Sequence, residues 1–215
     1  MSLIIGPVVE SDLPSICEIR ELAFSPNPCY RLLYPLEVDI AAAKLERHRQ
    51  SFFASQDSPM AKLYDAQTGE IASYCHWTKK EGDFEVEKRT PKSLTAWPEG
   101  VNKALMDQFF EAIYAKTEEL MSGRPHFLLS ILVTNPKYQK RGAASRLLDW
   151  GVAQADAAGI PAYLEATPGA VGLYKSRGFE ETGRVDFDLG DFGGHGDYSM
   201  IAMLRPFPGS NETPE

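Results

Sequence analysis

Three cysteines and four histidines are all that this 215-residue chain offers to metal or disulfide chemistry. Cys17, Cys29 and Cys75 are odd in number and fall at no metal-ligand spacing. They speak against a disulfide framework and a zinc ribbon, and read as reduced packing thiols with no metal site. No apolar run approaches the ~20 residues of a membrane span. The opening MSLIIGPVVESD lacks the basic start and apolar core of a signal peptide. A cytoplasmic protein without a membrane partner is therefore expected. Basic charge is scarce too: 22 Lys and Arg stand against 30 Asp and Glu, a net charge of -8. That balance argues against a nucleic-acid footprint. Internal repeats, a Walker A loop and a GxGxxG fingerprint are all missing.

What is present suits a globular chain, with 43% hydrophobic and 24% charged residues. The length fits one domain over residues 1–205. A charged stretch at 79–100 carries Pro91 and Pro98, shows no sustained period and reads as a surface insertion. Residues 206–215 read as a polar tail.

The chain is organised around Leu128 to Ser145, LLSILVTNPKYQKRGAAS. The apolar run Phe127 to Val133 predicts a strand. Leu147, Leu148, Val152 and Ala155 recur at helical spacing and predict a helix soon after. Between them Gly142, Ala143 and Ala144 leave room for a ligand beside the backbone. A helix start offers unpaired N–H groups and the positive end of a dipole, with Lys140 and Arg141 alongside. Together these form an anion site suited to a pyrophosphate.

Gln139-Lys140-Arg141-Gly142-Ala143-Ala144 resembles the Q/R-x-x-G-x-G/A signature of the GCN5-related N-acetyltransferases, the GNAT family. Val133, Pro136 and Tyr138 stand where that family has them. Downstream, Leu173-Tyr174-Lys175-Ser176-Arg177-Gly178-Phe179 resembles its LYxxxGF element. The resemblance runs along nearly the whole chain and is strongest from 126 to 180.

Elsewhere the pattern is read from the residues. Leu3 to Val8 predicts a strand. Ser11 or Asp12 can cap a helix striped by Leu13, Ile16, Ile19 and Ala23. Ser25 to Pro28 breaks it, and Cys29 to Leu36 follows as an aromatic connecting segment. A second helix is expected from about Asp39 to Phe53. Lys62–Asp65 and Ile71–Thr78 predict a hairpin about Gln67–Glu70, with Ala72, Tyr74 and His76 sharing one face. Val101, Leu105, Phe109 and Ile113 mark a helix ending near Gly123. Strands are expected at Ala162–Ala166, Val185–Leu189 and Tyr198–Leu204, with a brief helix at Ala170–Ser176. Periodicity alone supports one α/β or α+β domain. The resemblance implies a mixed α/β fold: a central, mostly antiparallel sheet with helices on both faces and splayed central strands.

The resemblance also implies an activity, acyl transfer from the co-substrate acetyl-CoA to a primary amine in a ternary complex. Such transfer needs a neutral amine, a backbone N–H for the charged carbonyl oxygen and a proton for the leaving thiolate. The family pattern places acetyl-CoA contacts at Ile131, Leu132 and Val133, and pyrophosphate contacts at Gln139, Lys140, Arg141, Gly142, Ala143, Ala144 and Ser145. Tyr174 matches the family's proton donor; a phenol with a pKa near ~10 is protonated at neutral pH. Seven residues before it, where the family often has a cofactor-holding Asn, stands Thr167. For a general base the residues offer Glu165, His76 and His195. The acceptor is expected to be a small-molecule amine, beside Tyr30, Tyr34, Tyr74, His76, Asp191 and Tyr198, whose aromatic faces and carboxylate suit an ammonium-bearing ligand. An N-terminal peptide acceptor, or a non-catalytic acyl-CoA-binding protein of the same fold, stays open, as does monomer or homodimer.

Overall fold

A strand, Leu3–Pro7 (β1), leads into a helix, Leu13–Phe24 (α1), with a 3-10 turn at Glu10–Asp12 between them. The computed structural model describes residues 2–35, 41–53, 60–82 and 99–209. Then follow Pro28–Leu33 (α2), Ala41–Phe53 (α3), Met60–Asp65 (β2) and Ile71–Lys80 (β3). The second half runs Lys103–Met121 (α4), His126–Thr134 (β4), Ala143–Ala158 (α5), Ala162–Ala166 (β5), Val171–Lys175 (α6), Glu180–Asp188 (β6) and Asp197–Arg205 (β7). Seven strands in the order β1-β2-β3-β4-β5-β7-β6 make a mixed, mostly antiparallel sheet flanked by helices.

The chain folds as two compact units. The first contains Met1–Pro26, Asp39–Lys79 and Leu129–Gln154; the second contains Asn27–Val38, Lys80–Leu128 and Ala155–Glu215. In the first unit β1, β2 and β3 pair antiparallel in turn. The α1 stripe buries Leu13, Ile16 and Ile19 against Val8, Ile71, Tyr74 and Val133, as its spacing predicts. Each such buried aliphatic side chain contributes roughly 1.5–3 kcal/mol. Asp12 is the N-cap, yet its side chain caps nothing. Its carboxylate instead accepts from the Val9 amide and from Lys62 Nζ. Gly151 lets α5 lie close on β3: a Cβ there would sit 2.1 Å from the Trp77 ring.

In the second unit the start of β4 runs parallel to β5 at Phe127–Ala162 and Leu128–Tyr163. β5 pairs antiparallel with β7, and β7 with β6. Its larger core joins Cys29 and Leu33 to Leu105, Met106, Val185, Phe187, Leu189 and Tyr198.

Three expectations change. The aromatic segment after Ser25–Pro28 is a helix, α2, because Pro28 occupies its first turn and Asn27 Oδ1 accepts from the Tyr30 amide. β3 continues through Lys80. β6 begins at Glu180, since its polar first half lies at the edge of the sheet, where no apolar face is required. Leu36, Asp39 and residues 83–98 of the expected insertion lie outside the described residues, as do 210–215 of the tail.

Candidate active site

The organising stretch is strand, turn and helix, as its residues predict. At the end of β4, Asn135 Oδ1 accepts from the Lys137 amide and starts a 3-10 turn at Pro136–Tyr138. Lys140 then takes φ 57 and Gly142 φ 79. Two left-handed residues so close together turn the backbone sharply into α5; only Gly adopts that region without cost. A Cβ on Gly142 would meet nothing within 4 Å, so the space above this backbone is open. Lys140, Arg141 and Gly142 are exposed, Ala143 is buried, and Ala144 and Ser145 are half-buried. The first bond of the helix runs from the Arg146 amide to the Gly142 carbonyl. The amides of Ala143, Ala144 and Ser145 precede it and have no intrahelical acceptor. Backbone donors and a dipole end therefore follow directly in the chain on two exposed cations, Lys140 and Arg141, a combination that suits an anion. The Gln139 amide group reaches back to the Thr134 carbonyl at 3.4 Å. On β4, Ile131 and Leu132 are half-buried, while Val133 is buried and its carbonyl accepts from the Ser73 hydroxyl at 2.7 Å. Among the described residues, the ladder from β4 to β5 stops at Leu128.

Sequence reasoning missed the anchor of this turn. Glu70, which closes the β2–β3 hairpin, accepts from Tyr138 Oη at 2.7 Å and from Lys137 Nζ at 2.8 Å and 2.9 Å. Lys137 holds the Glu70 carboxyl below the ordinary carboxylate range, with Tyr138 adding to the effect. The same carboxylate raises the pKa of the Tyr138 phenol. Ser73 adds a second tie, its hydroxyl lying 3.0 Å from Thr134 Oγ1.

In the second unit, Tyr174 is buried on α6, its ring edge-on to Phe179 with centroids 5.8 Å apart. Its carbonyl accepts from the amides of Arg177 and Phe179. Thr167 is the N-cap of a 3-10 turn at Pro168–Ala170 and makes no side-chain cap. Glu165, on β5, is half-buried. Thr117 Oγ1 donates to its Oε1 at 2.6 Å and lies 3.0 Å from the Ile113 carbonyl. Burial raises the Glu165 pKa, against the opposing pull of Thr117. A hydroxyl carries a single proton. With Glu165 ionised, Thr117 donates to it; with Glu165 protonated, the carboxyl can donate to Thr117, which turns to Ile113. The pair therefore satisfies both protonation states, which a group that takes up and releases a proton requires. Tyr163, two residues earlier on the same face, is fully buried, and desolvation raises its pKa.

The acceptor candidates divide between the units. In the second, Tyr30 and Tyr34 lie on and just after α2 with ring centroids 4.9 Å apart. Tyr198 is buried, and its Oη accepts from Asn27 Nδ2 at 2.8 Å. Asp191 and His195 are exposed in the turn before β7. Neighbouring Asp186 is engaged by Ser199 and Arg184, and Asp188 accepts from the Gly190 amide. In the first unit His76 is half-buried opposite Met60. Tyr74 is fully buried, and desolvation pushes its phenol up to about 12. It packs with Val8, Leu13 and Ile71, because β3 is covered on both faces. Its ring is a core element of that unit.

The thiols are free. Cys29 is buried and pushed up to about 11, and Cys75 is buried and pushed up to about 12. Among the described residues no group of three or more His, Cys, Asp or Glu is placed to hold a metal, and no helix is long and apolar enough to cross a membrane.

Residues 100–190 match the family model described as an acetyltransferase (GNAT) domain. A protein of Ajellomyces capsulatus named probable acyltransferase SID5 is 29% identical over 106 residues, 49% of this chain and 68% of that one. Among solved structures, arylalkylamine N-acetyltransferase 2 from Aedes aegypti superposes with a TM-score of 0.71 at 14% identity, covering 96% of this chain and 99% of that one. A Corynebacterium glutamicum structure described as histone acetyltransferase HPA2 and related acetyltransferase gives 0.65 at 21% identity, covering 99% and 100%. At these identities the superpositions speak for the fold, which is the mixed, mostly antiparallel architecture expected from the resemblance.

Proposed function

We propose that this chain, whose residues 100–190 match a GNAT acetyltransferase domain, moves an acetyl group from acetyl-CoA to the primary amine of a small molecule. The observation that carries this reading is the turn into α5. Its left-handed Lys140 and Gly142, the open space above Gly142 and the exposed Lys140 and Arg141 fit a pyrophosphate. Acetyl-CoA supplies the activated acyl group. Gln139, Lys140, Arg141, Gly142, Ala143, Ala144 and Ser145 hold its phosphates, and the backbone of Ile131, Leu132 and Val133 lines its arm. Thr167 contributes a cofactor contact where the family often has Asn. Tyr174 gives its proton to the departing thiolate, and Glu165 takes the proton of the amine.

The small-amine reading is supported by the aromatic and acidic side chains of the second unit. Tyr30 and Tyr34 meet with their rings tilted by 44°, Tyr198 is fixed by Asn27, and Asp191 is exposed in the turn before Tyr198. These offer ring faces and a carboxylate to an ammonium-bearing ligand. His76 remains a candidate for the same role. The Aedes aegypti likeness is to an enzyme named for arylalkylamines, which agrees with an aromatic-lined acceptor site.

The test is thiol release from acetyl-CoA with phenethylamine, spermidine, kanamycin and an Ala-initiated peptide as acceptors. Turnover is expected with at least one small amine, and Tyr174→Phe is expected to lower it roughly 10²-fold with little change in cofactor affinity. Turnover of the peptide alone, at an efficiency that Asp191→Asn leaves unchanged, would overturn the small-amine reading.

A further inference from the structure

The helix that carries Tyr174 cannot hold itself. α6 spans only Val171–Lys175, and its N-cap, Ala170, makes no side-chain cap. A helix of about one turn has no stability of its own in water. What fixes it lies at its C-terminal end. Ser176 Oγ donates to the Leu173 carbonyl at 2.6 Å. The amides of Arg177 and Phe179 donate to the Tyr174 carbonyl at 2.9 Å and 3.2 Å. Gly178 closes the turn at φ 80, the left-handed cap a helix end favours.

One side chain grips this turn from outside. Arg205 Nε donates to the Arg177 carbonyl at 3.0 Å. The rest of its guanidinium is taken by Asp156, near the end of α5: Nη1 donates to Oδ1 at 2.6 Å and Nη2 to Oδ2 at 3.0 Å. The pair is well shielded, with the Arg205 side chain 15% exposed and Asp156 29%. Arg205 is also the last residue of β7 and lies opposite Ala162 at the start of β5. The grip is therefore anchored in the sheet. A planar fork with three engaged donors holds a carbonyl at fixed distance and angle, which a lysine's single point charge cannot do.

We propose that Arg205, oriented by Asp156, is the positioning residue for Tyr174: it fixes the turn at Arg177–Gly178 and thereby the height and angle of the phenol on α6. The proposal rests on Tyr174 acting as the proton donor to the thiolate. Loss of the grip leaves the phenol in place on average but off its productive geometry, and misplacement of about 1 Å costs turnover more than binding.

Arg205→Lys, Arg205→Gln and Asp156→Asn are compared with the parent, each in the native and in the Tyr174→Phe background. The probes are acetyl-CoA and the fastest acceptor of the panel above; kcat, both KM values and Tm are measured. In the native background, kcat is expected to fall roughly tenfold with KM for acetyl-CoA changed less than about threefold. In the Tyr174→Phe background the same substitutions are expected to change kcat less than about twofold, because the group they position is already missing. Equal losses in both backgrounds would show that Arg205 acts through the fold at large, and unchanged kcat in all three variants would also overturn the proposal. If Tyr174→Phe alone turned over like the parent, the proton-donor reading would fail first, and this inference with it. Should Arg205→Gln not fold, Arg205→Lys and Asp156→Asn make the same comparison with the charge or the shape retained.

Discussion

Tyr138 and Glu70 stand 68 residues apart in the chain, and the phenol of one donates to the carboxylate of the other at 2.7 Å. Lys137, whose ammonium lies 5.5 Å from the Tyr138 ring centroid, holds the same carboxylate. The hairpin end is thereby fastened to the turn that precedes the anion loop. Tyr138 is buried, but the ion pair of Lys137 and Glu70 is open to solvent at 63% and 38%, so its worth lies less in global stability than in order at the loop. Glu70→Ala is expected to weaken acetyl-CoA binding roughly 3- to 10-fold, through lost preorganisation, with Tm nearly unchanged. Calorimetry on the two proteins checks it. The pH dependence has a definite sign. Lys137 lowers the folded-state pKa of Glu70, so its contribution is present above the ordinary carboxylate pKa and lost as pH falls through the lowered one. Any difference in Tm between parent and Glu70→Gln should therefore be open at neutral pH and close in acid.

At Gly142 the backbone and the space above it make separate demands. The left-handed φ 79 costs any L-residue, and nothing lies within 4 Å of a Cβ there. Gly142→Ala is expected to lose about 1–2 kcal/mol of stability from φ alone while still binding acetyl-CoA. Gly142→Glu carries the same backbone cost and adds bulk and a negative charge where phosphates are proposed to sit. Its affinity should drop by at least tenfold, about 1.4 kcal/mol. Equal affinities in the two variants would remove the phosphates from this turn.

Gly151 tests packing in the first unit. A Cβ there would lie 2.1 to 2.5 Å from three atoms of the Trp77 ring, and Trp77 is fully buried. Gly151→Ala therefore forces α5 and β3 apart, at about 1–3 kcal/mol or more, which lowers Tm by roughly 2–4 °C for each kcal/mol in a chain of this size. Trp77→Phe removes ring volume at the contact. Combined with Gly151→Ala it should cost less than the sum of the two single changes, as thermal unfolding of all four proteins would show.

The parts that were legible in the chain are those whose signal is local. Residues 127 to 158 announce strand, turn and helix through an apolar run, one glycine and a helical stripe, and the structure has them there. Pro28 misled because the same residue that ends one helix can open the next; Asn27 two residues after Ser25 was the overlooked sign of a new cap. Tyr74 misled for another reason. Alternation along a strand separates two faces but does not say that one is wet, and β3 is buried on both. The Glu70–Tyr138 tie and the grip of Arg205 on the Arg177 carbonyl were out of reach. Each joins residues far apart in the chain, and single charged or aromatic residues carry no period that could point to the partner.

Glu165 offers a prediction in which stability and activity move in opposite directions. Its carboxyl is half-buried on β5 beside Thr117, and burial raises its folded-state pKa. A carboxyl whose pKa is raised holds its proton better folded than unfolded. Its contribution is full below the unfolded pKa and is lost as pH rises through the folded one. Glutamine keeps the shape, can still accept from Thr117, and never ionises. Glu165→Gln should therefore match the parent in acid and become progressively more stable than the parent as pH rises, levelling off above the folded pKa. A Tm series from pH 4 to pH 9 on both proteins checks this, and a gap that stays constant across the series would mean that the carboxyl does not titrate with folding. Turnover should fall at the same time. A base that takes the amine proton contributes about 10²- to 10⁴-fold, so Glu165→Gln is expected to lose at least 10²-fold in kcat, and the acid limb of the parent's pH–rate profile should vanish with it. If the variant gained stability but kept its turnover and its acid limb, Glu165 would be a buried carboxyl retained for its bond to Thr117, and His76 or His195 would take its place as the candidate base.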